Sequence, residues 1–265
     1  MLSNNLTSLW KYRAFIVGSV KREFQSKYRN SLLGIAWPVI QPLAMILVYT
    51  VIFSQIMRAK LPGIDSTFAY SIYLCIGIIT WALFAEITTK AQSVFIDNAN
   101  LIKKLSFPRI CLPVIVILNA LLNFGIILFL FTLFLIITGN FPGWAFFYCI
   151  PLLALQIAFA IGLGITLGVL NVFFRDIGQF YSIFLQFWFW LTPIVYSADI
   201  LPEGIRPLLA LNPLYSLTVS YQNIFTKGIE PVWIDLWPLL VAAIIFNYLG
   251  FTLFRKHSGE IVDEL

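Results

Sequence analysis

Six stretches of this sequence are apolar for as long as a helix needs to cross a bilayer, roughly 20 residues. They cover residues 33–57, 68–89, 110–138, 144–174, 177–196 and 233–254. No soluble architecture uses so many apolar runs of that length. Composition closes the alternative: 60% of the chain is apolar and only 11% is charged, against roughly 25% charged in an ordinary soluble domain. A soluble surface cannot be covered with so few polar side chains. The expectation is an all-α integral membrane protein, with residues 1–265 forming a single transmembrane domain of six transmembrane helices.

The runs are not equal. The third and fourth are long enough to tilt or to extend past the hydrocarbon. The fifth is interrupted by Gln179, Gln186 and Pro193. Residues 197–228 follow it, broken by Pro202, Pro207 and Pro213 yet apolar in places. Non-helical backbone at membrane depth is tolerated only inside protein or beside a cavity. That segment therefore reads as a re-entrant element before the last span, on the extracytoplasmic side.

The direction of threading follows from the basic residues. With six spans both termini share a side, and thirteen of the seventeen Lys and Arg residues fall there. Positive charge concentrates on the cytoplasmic side, so both termini and the 90–109 loop are expected to be cytoplasmic. The same asymmetry accounts for a pI near 9.1 without nucleic acid as a partner.

Several chemistries lack material. The chain has one histidine, His257, and three widely spaced cysteines, Cys75, Cys111 and Cys149. A Ser-His-Asp triad, a structural zinc site and a His relay are not supported. No G-x-x-x-x-G-K-[ST] phosphate loop occurs, so any ATP used must be bound by another polypeptide.

Four features stand out as candidates. Residues 6–30 place Leu6, Leu9, Trp10, Phe15, Ile16, Val20 and Phe24 among basic residues that include Arg13, Arg22, Lys27 and Arg29. This fits an amphipathic helix in the membrane interface, serving as an anchor or as a docking surface. Residues 97–107 form a second short amphipathic helix: Asp97 or Asn98 as cap, Leu101, Ile102 and Leu105 as stripe, Lys103 and Lys104 beside it, and Pro108 ending it. In the turn after the fourth span, Arg175 and Asp176 have three alternatives: pairing with each other, pairing with the amphipathic helix, or a plain topology anchor. In the fifth span, Tyr181, Phe184 and Trp188 share one helical face, and Ile183, Phe187 and Trp190 another. With Tyr196 these aromatics are either an interfacial belt or a track for sugar rings. Two further positions are weaker. Gly164 and Gly168 permit a close helix contact, and Glu86 near the end of the second span reads as a paired or snorkelling acid rather than a proton site.

Residues 27–37 (KYRNSLLGIAW), 41–43 (QPL), Asn98 with 101–104 (LIKK), 107–109 (FPR), 174–177 (FRDI), 190–196 (WLTPIVY) and Asn212-Pro213 together make the chain similar to type-2 ATP-binding-cassette (ABC) exporters. The narrower likeness is to their membrane subunits that export O-antigen, teichoic acid and related polysaccharides. The resemblance implies a permease subunit of a bacterial inner membrane that is not itself an enzyme. It implies a homodimer enclosing a channel, lined in part by Tyr49, Tyr181, Phe184, Phe187, Trp188, Trp190 and Tyr196. It also implies two separate ATPase subunits, carrying ATP and Mg, docked on the interface helix and on a coupling helix comprising Asp97, Asn98, Leu101, Ile102, Lys103, Leu105, Phe107 and Arg109. The cargo implied is a lipid-linked glycan. A type-2 exporter of drugs or small lipids, and an integral-membrane transferase, are the competing readings.

Overall fold

Backbone amides in hydrocarbon need internal partners, which a helix supplies along its whole length. The computed structural model describes residues 10–28, 36–56, 68–104, 107–198, 204, 209–257 and 259–264, and among these every regular element is helical. In chain order they are α1 (Arg13–Tyr28), α2 (Trp37–Tyr49) with a π-helical turn (Thr50–Ile56), α3 (Ala69–Asp97), α4 (Ala99–Lys104), α5 (Cys111–Ile137), α6 (Cys149–Phe173), α7 (Asp176–Trp190), α8 (Pro213–Lys227), α9 (Trp237–Lys256) and α10 (Glu260–Glu264).

Four of the described helices are long and apolar enough to cross a membrane: α3, α5, α6 with its 3-10 lead-in (Gly143–Phe173), and α9 with its lead-in (Trp233–Lys256). They occupy the second, third, fourth and sixth apolar runs. Among the described residues the other two runs give shorter helices. In the first, α2 carries Pro42 inside it and passes into the π-helical turn. In the fifth, α7 stops at Trp190 after 15 residues. Pro193 cannot donate a helical hydrogen bond and disfavours helix in the residue before it, so residues 191–197 leave the helix.

The core is built around α6, which packs along both α3 and α9. Small residues set the distance. A Cβ on Gly164 would lie 2.5 Å from the Ala91 Cβ, and one on Gly168 would lie 2.6 Å from the Ala91 carbonyl oxygen. Polar side chains then join the helices, as expected where lipid offers no competing partners. Gln156 donates to the Thr80 carbonyl at 2.6 Å and Asn171 to that of Gln92 at 3.2 Å. Asn247 donates to the Ala158 carbonyl at 2.7 Å and Thr166 to that of Phe246 at 3.2 Å. All three cysteines are buried and free. By contrast α5 and α9 leave large apolar side chains exposed, among them Phe129, Ile137, Ile244 and Tyr248, which suits a lipid or protein-facing wall.

Candidate transport path and coupling surface

The interface helix α1 lies against the start of α5. Ile16 and Val20, one turn apart, are buried with Cys111 and Ile115. Its other face is exposed and basic. Arg13 sits over the exposed Trp10 ring at 4.9 Å and donates to the Trp10 carbonyl, while Arg22 donates to Ser19. Leu6, Leu9 and Arg29, and the side chain of Lys27, lie outside the described residues.

The short α4 has two faces. Ile102 is buried and Leu101 packs partly against the core, while Lys103 and Lys104 are exposed. The expected side-chain cap is not used. Asp97 accepts from Ser93 at 2.6 Å, and the Asn98 amide donates back to the Val94 carbonyl at 2.8 Å. Both side chains thus finish α3, and the Asn98 backbone carbonyl accepts from Leu101 and Ile102 instead. Just beyond, Phe107 meets Phe15 of α1 with ring centroids 5.1 Å apart, so the α4 segment and α1 touch. Arg109 is half-buried, and Leu105 lies outside the described residues. Arg175 and Asp176 are both exposed, and no ion pair joins them; the turn they occupy is an N-terminal flank of α7.

The aromatic candidates divide into two groups. Tyr181 and Trp188 are buried, with Trp188 edge-on to Phe84, Phe159 and Trp81. Phe184, Phe187 and Trp190 are exposed, and Phe184 tilts onto Trp188 at 5.1 Å. Burial divides the face expected from spacing: Tyr181 and Trp188 are core, whereas Phe184 is exposed together with Phe187 and Trp190. The exposed edge is fixed from behind. Asn212 accepts from the Trp188 indole at 2.9 Å, caps α8 through the Leu214 amide at 3.0 Å, and donates to the Leu191 carbonyl and the Thr192 hydroxyl. The turn that follows is strapped by α3 and α8. Tyr73 donates to the carbonyls of Pro193 and Tyr196, Tyr70 to that of Val195, and Gln222 to that of Pro193. Tyr196 in turn donates to the Trp190 carbonyl at 3.0 Å. Tyr49 is half-buried and opens an aromatic series through Phe53 to Tyr70.

The ABC-2 type transporter family pattern matches residues 16–226, from α1 through α8. The chain belongs to this family. Among its relatives, the O-antigen export system permease protein RfbA of Klebsiella pneumoniae is 32% identical over 252 residues, covering 94% of each chain. The protein of that name from Myxococcus xanthus is 30% identical over 97% of each. The polysialic acid transport protein KpsM of Escherichia coli is 22% identical, over 91% of this chain and 92% of its own.

For this ABC-2 transporter chain, sequence reasoning misses the residues that hold the candidates in place. Asn212 enters it only as part of a motif. Tyr70, Tyr73 and Gln222 do not enter it, though each is a hydrogen-bonding side chain in an otherwise apolar stretch. The partners of Glu86 are missed as well. Lys90 bridges Glu86 at 3.0 Å and Glu23 of α1 at 3.1 Å. Asn123 donates to Glu86 at 2.7 Å, and Asn119 donates to Glu23. Asn119 and Asn123, one turn apart in the apolar α5, are the available signal. Glu86 is paired, as its position near the end of the span suggests. No group of side chains suited to a metal occurs among the described residues.

Proposed function

We propose that this chain is the channel-forming membrane subunit of an ATP-driven exporter of lipid-linked polysaccharide, acting as a homodimer with two separate ATPase subunits that bind ATP and Mg. The observation that carries this reading is the exposed aromatic edge of α7. Phe184, Phe187 and Trp190 present flat apolar faces on a helix whose end is held by Asn212, at Trp188 and Leu191, and whose following turn is held by Tyr70, Tyr73 and Gln222. Aromatic planes pack against the apolar faces of sugar rings, and their geometry is specific without being tight. A row of such faces suits a polymer that must move on. The relatives' names, for O-antigen and for polysialic acid, support the same cargo class.

In this reading α2 with its π-helical turn, and α7 with its following turn, complete six crossings. They face the second copy across the channel, and Tyr49 lies at that face. Both termini, α1 and α4 are then cytoplasmic in the bacterial inner membrane. The ATPase subunits dock on the exposed basic faces of α1 and of residues 97–107, while residues 197–228 lie at the far side. The test is reconstitution of the chain with its ATPase in proteoliposomes, measuring ATP hydrolysis with and without lipid-linked glycan. Stimulation by the glycan is expected, and Trp190→Ala should lower glycan transfer severalfold while leaving assembly intact. Stimulation by small amphiphiles with none by glycan would replace this reading with a drug or lipid exporter.

A further inference from the structure

A cavity of about 340 Å³ opens between α2, α3 and α5, lined by Gln41, Pro42 and Met45 of α2, by Ile79 and Glu86 of α3, and by Asn123 of α5, among others. It is far larger than a single water needs. It sits in the half of the bilayer nearer α1, because Glu86 shares Lys90 with Glu23 of that helix.

Its polar wall is incompletely satisfied. Lys90 and Asn123 both contact the same oxygen of Glu86, Oε1. The other oxygen, Oε2, of a side chain that is 24% exposed, makes no hydrogen bond or ion pair among the described residues, nor does the amide of the exposed Gln41. Two carboxylates, Glu23 and Glu86, surround one ammonium, Lys90, so this group carries a formal charge of minus one. Unpaired charge and unpaired amides at membrane depth are costly. The occupant that removes the cost is amphipathic, with a cationic hydrogen-bond donor at one end.

We propose that the cavity binds a membrane phospholipid bearing a primary ammonium headgroup. The ammonium, with three N–H donors like that of lysine, meets Glu86 Oε2. The adjoining phosphate accepts from the Gln41 amide, and an acyl chain lies along Pro42, Met45 and Ile79. Recognition of a quaternary ammonium relies on aromatic faces, and none of the residues lining the cavity is aromatic. The site therefore prefers the primary amine over its trimethylated counterpart. This site lies apart from the α7 edge and does not depend on which cargo is exported.

The test uses the full-length chain in phosphatidylcholine nanodiscs doped with phosphatidylethanolamine or, separately, phosphatidylglycerol, with retained lipid read by native mass spectrometry. Phosphatidylethanolamine should be retained about tenfold over both other lipids, the size of one charge-assisted hydrogen bond. Glu86→Gln should abolish that preference. Because loss of Glu86 also disturbs the Lys90 group, Ala82→Phe serves as a second variant: it fills the cavity from α3 without touching a charge, and it should abolish retention too. Equal retention of the three lipids, preference for phosphatidylglycerol, or unchanged preference in Ala82→Phe would each overturn the proposal.

Discussion

The contact between α3 and α6 permits a test with opposite outcomes at two neighbouring glycines. A Cβ on Gly164 would stand 2.5 Å from the Cβ of Ala91. Ordinary contact between carbons is about 3.5–4.0 Å, so Gly164→Ala forces a separation of about 1 Å between two helices already held by Gln156 and Asn171. Overpacking of that kind costs about 1–3 kcal/mol, and the better helix propensity of alanine returns about 1 kcal/mol. The expected net loss is about 0–2 kcal/mol. The obstructing atom is a methyl group, so Ala91→Gly removes it. In that background Gly164→Ala should be neutral or stabilising, a coupling of about 1 kcal/mol or more. At Gly168 the obstruction at 2.6 Å is the Ala91 carbonyl oxygen, which the Ala91→Gly variant retains. Gly168→Ala should therefore cost as much in the Ala91→Gly background as in the native chain, with coupling within about 0.5 kcal/mol of zero. Reversible unfolding of the purified chain in mixed micelles, titrated with a denaturing detergent, gives all the free-energy differences. Equal coupling at the two glycines, or none at Gly164, would refute the close approach of α3 and α6 at Ala91.

Two other expectations use the same purified chain. Asn212→Ala removes the α8 cap, worth about 1 kcal/mol, and strands the buried Trp188 indole donor at about 1–3 kcal/mol more; a loss below about 0.5 kcal/mol in the same titration would contradict the junction described. In α4, Lys103→Glu with Lys104→Glu should weaken co-purification with the ATPase while leaving the unfolding midpoint unchanged, whereas Ile102→Asp should lower the midpoint itself. The reverse pattern would exchange the roles of the two faces.

How much is legible in the sequence depends on whether a property is local to the chain. The four long spans are legible because apolar sequence meets charge near their ends: α5, α6 and α9 begin and end near those limits, whereas α3 starts where expected but runs on past Lys90 to Asp97. The sharing of a face by Tyr181, Phe184 and Trp188 is equally local, since i, i+3 and i+7 meet on any helix. The end of α7 is partly legible: Pro193 announces an interruption, but the helix stops at Trp190, and the turn beyond it is held by Tyr70, Tyr73 and Gln222, which are 29 to 125 residues away in sequence. The caps of α4 mislead for a related reason. Asp97 and Asn98 stand where a cap should, yet the preceding helix offers Ser93 and the Val94 carbonyl one turn back, and a side chain cannot serve both ends.

Which aromatic side chains are core and which are wall is not local at all. Trp188 and Trp190 are two positions apart in the same helix, and composition treats them alike. Trp188 is 9% exposed and Trp190 63% exposed because Trp188 points onto Trp81, Phe84 and Phe159, with Asn212 accepting its indole, and Trp190 does not. Mutating both together would merge a packing defect with a transport defect. Trp188→Ala belongs with core truncations that cost about 3–5 kcal/mol, and a loss of export in that variant says little about the path. Trp190 projects from the same fixed backbone without being needed to hold it. A transport defect confined to Trp190→Ala, at unchanged stability, is the result that distinguishes a track for cargo from aromatic packing.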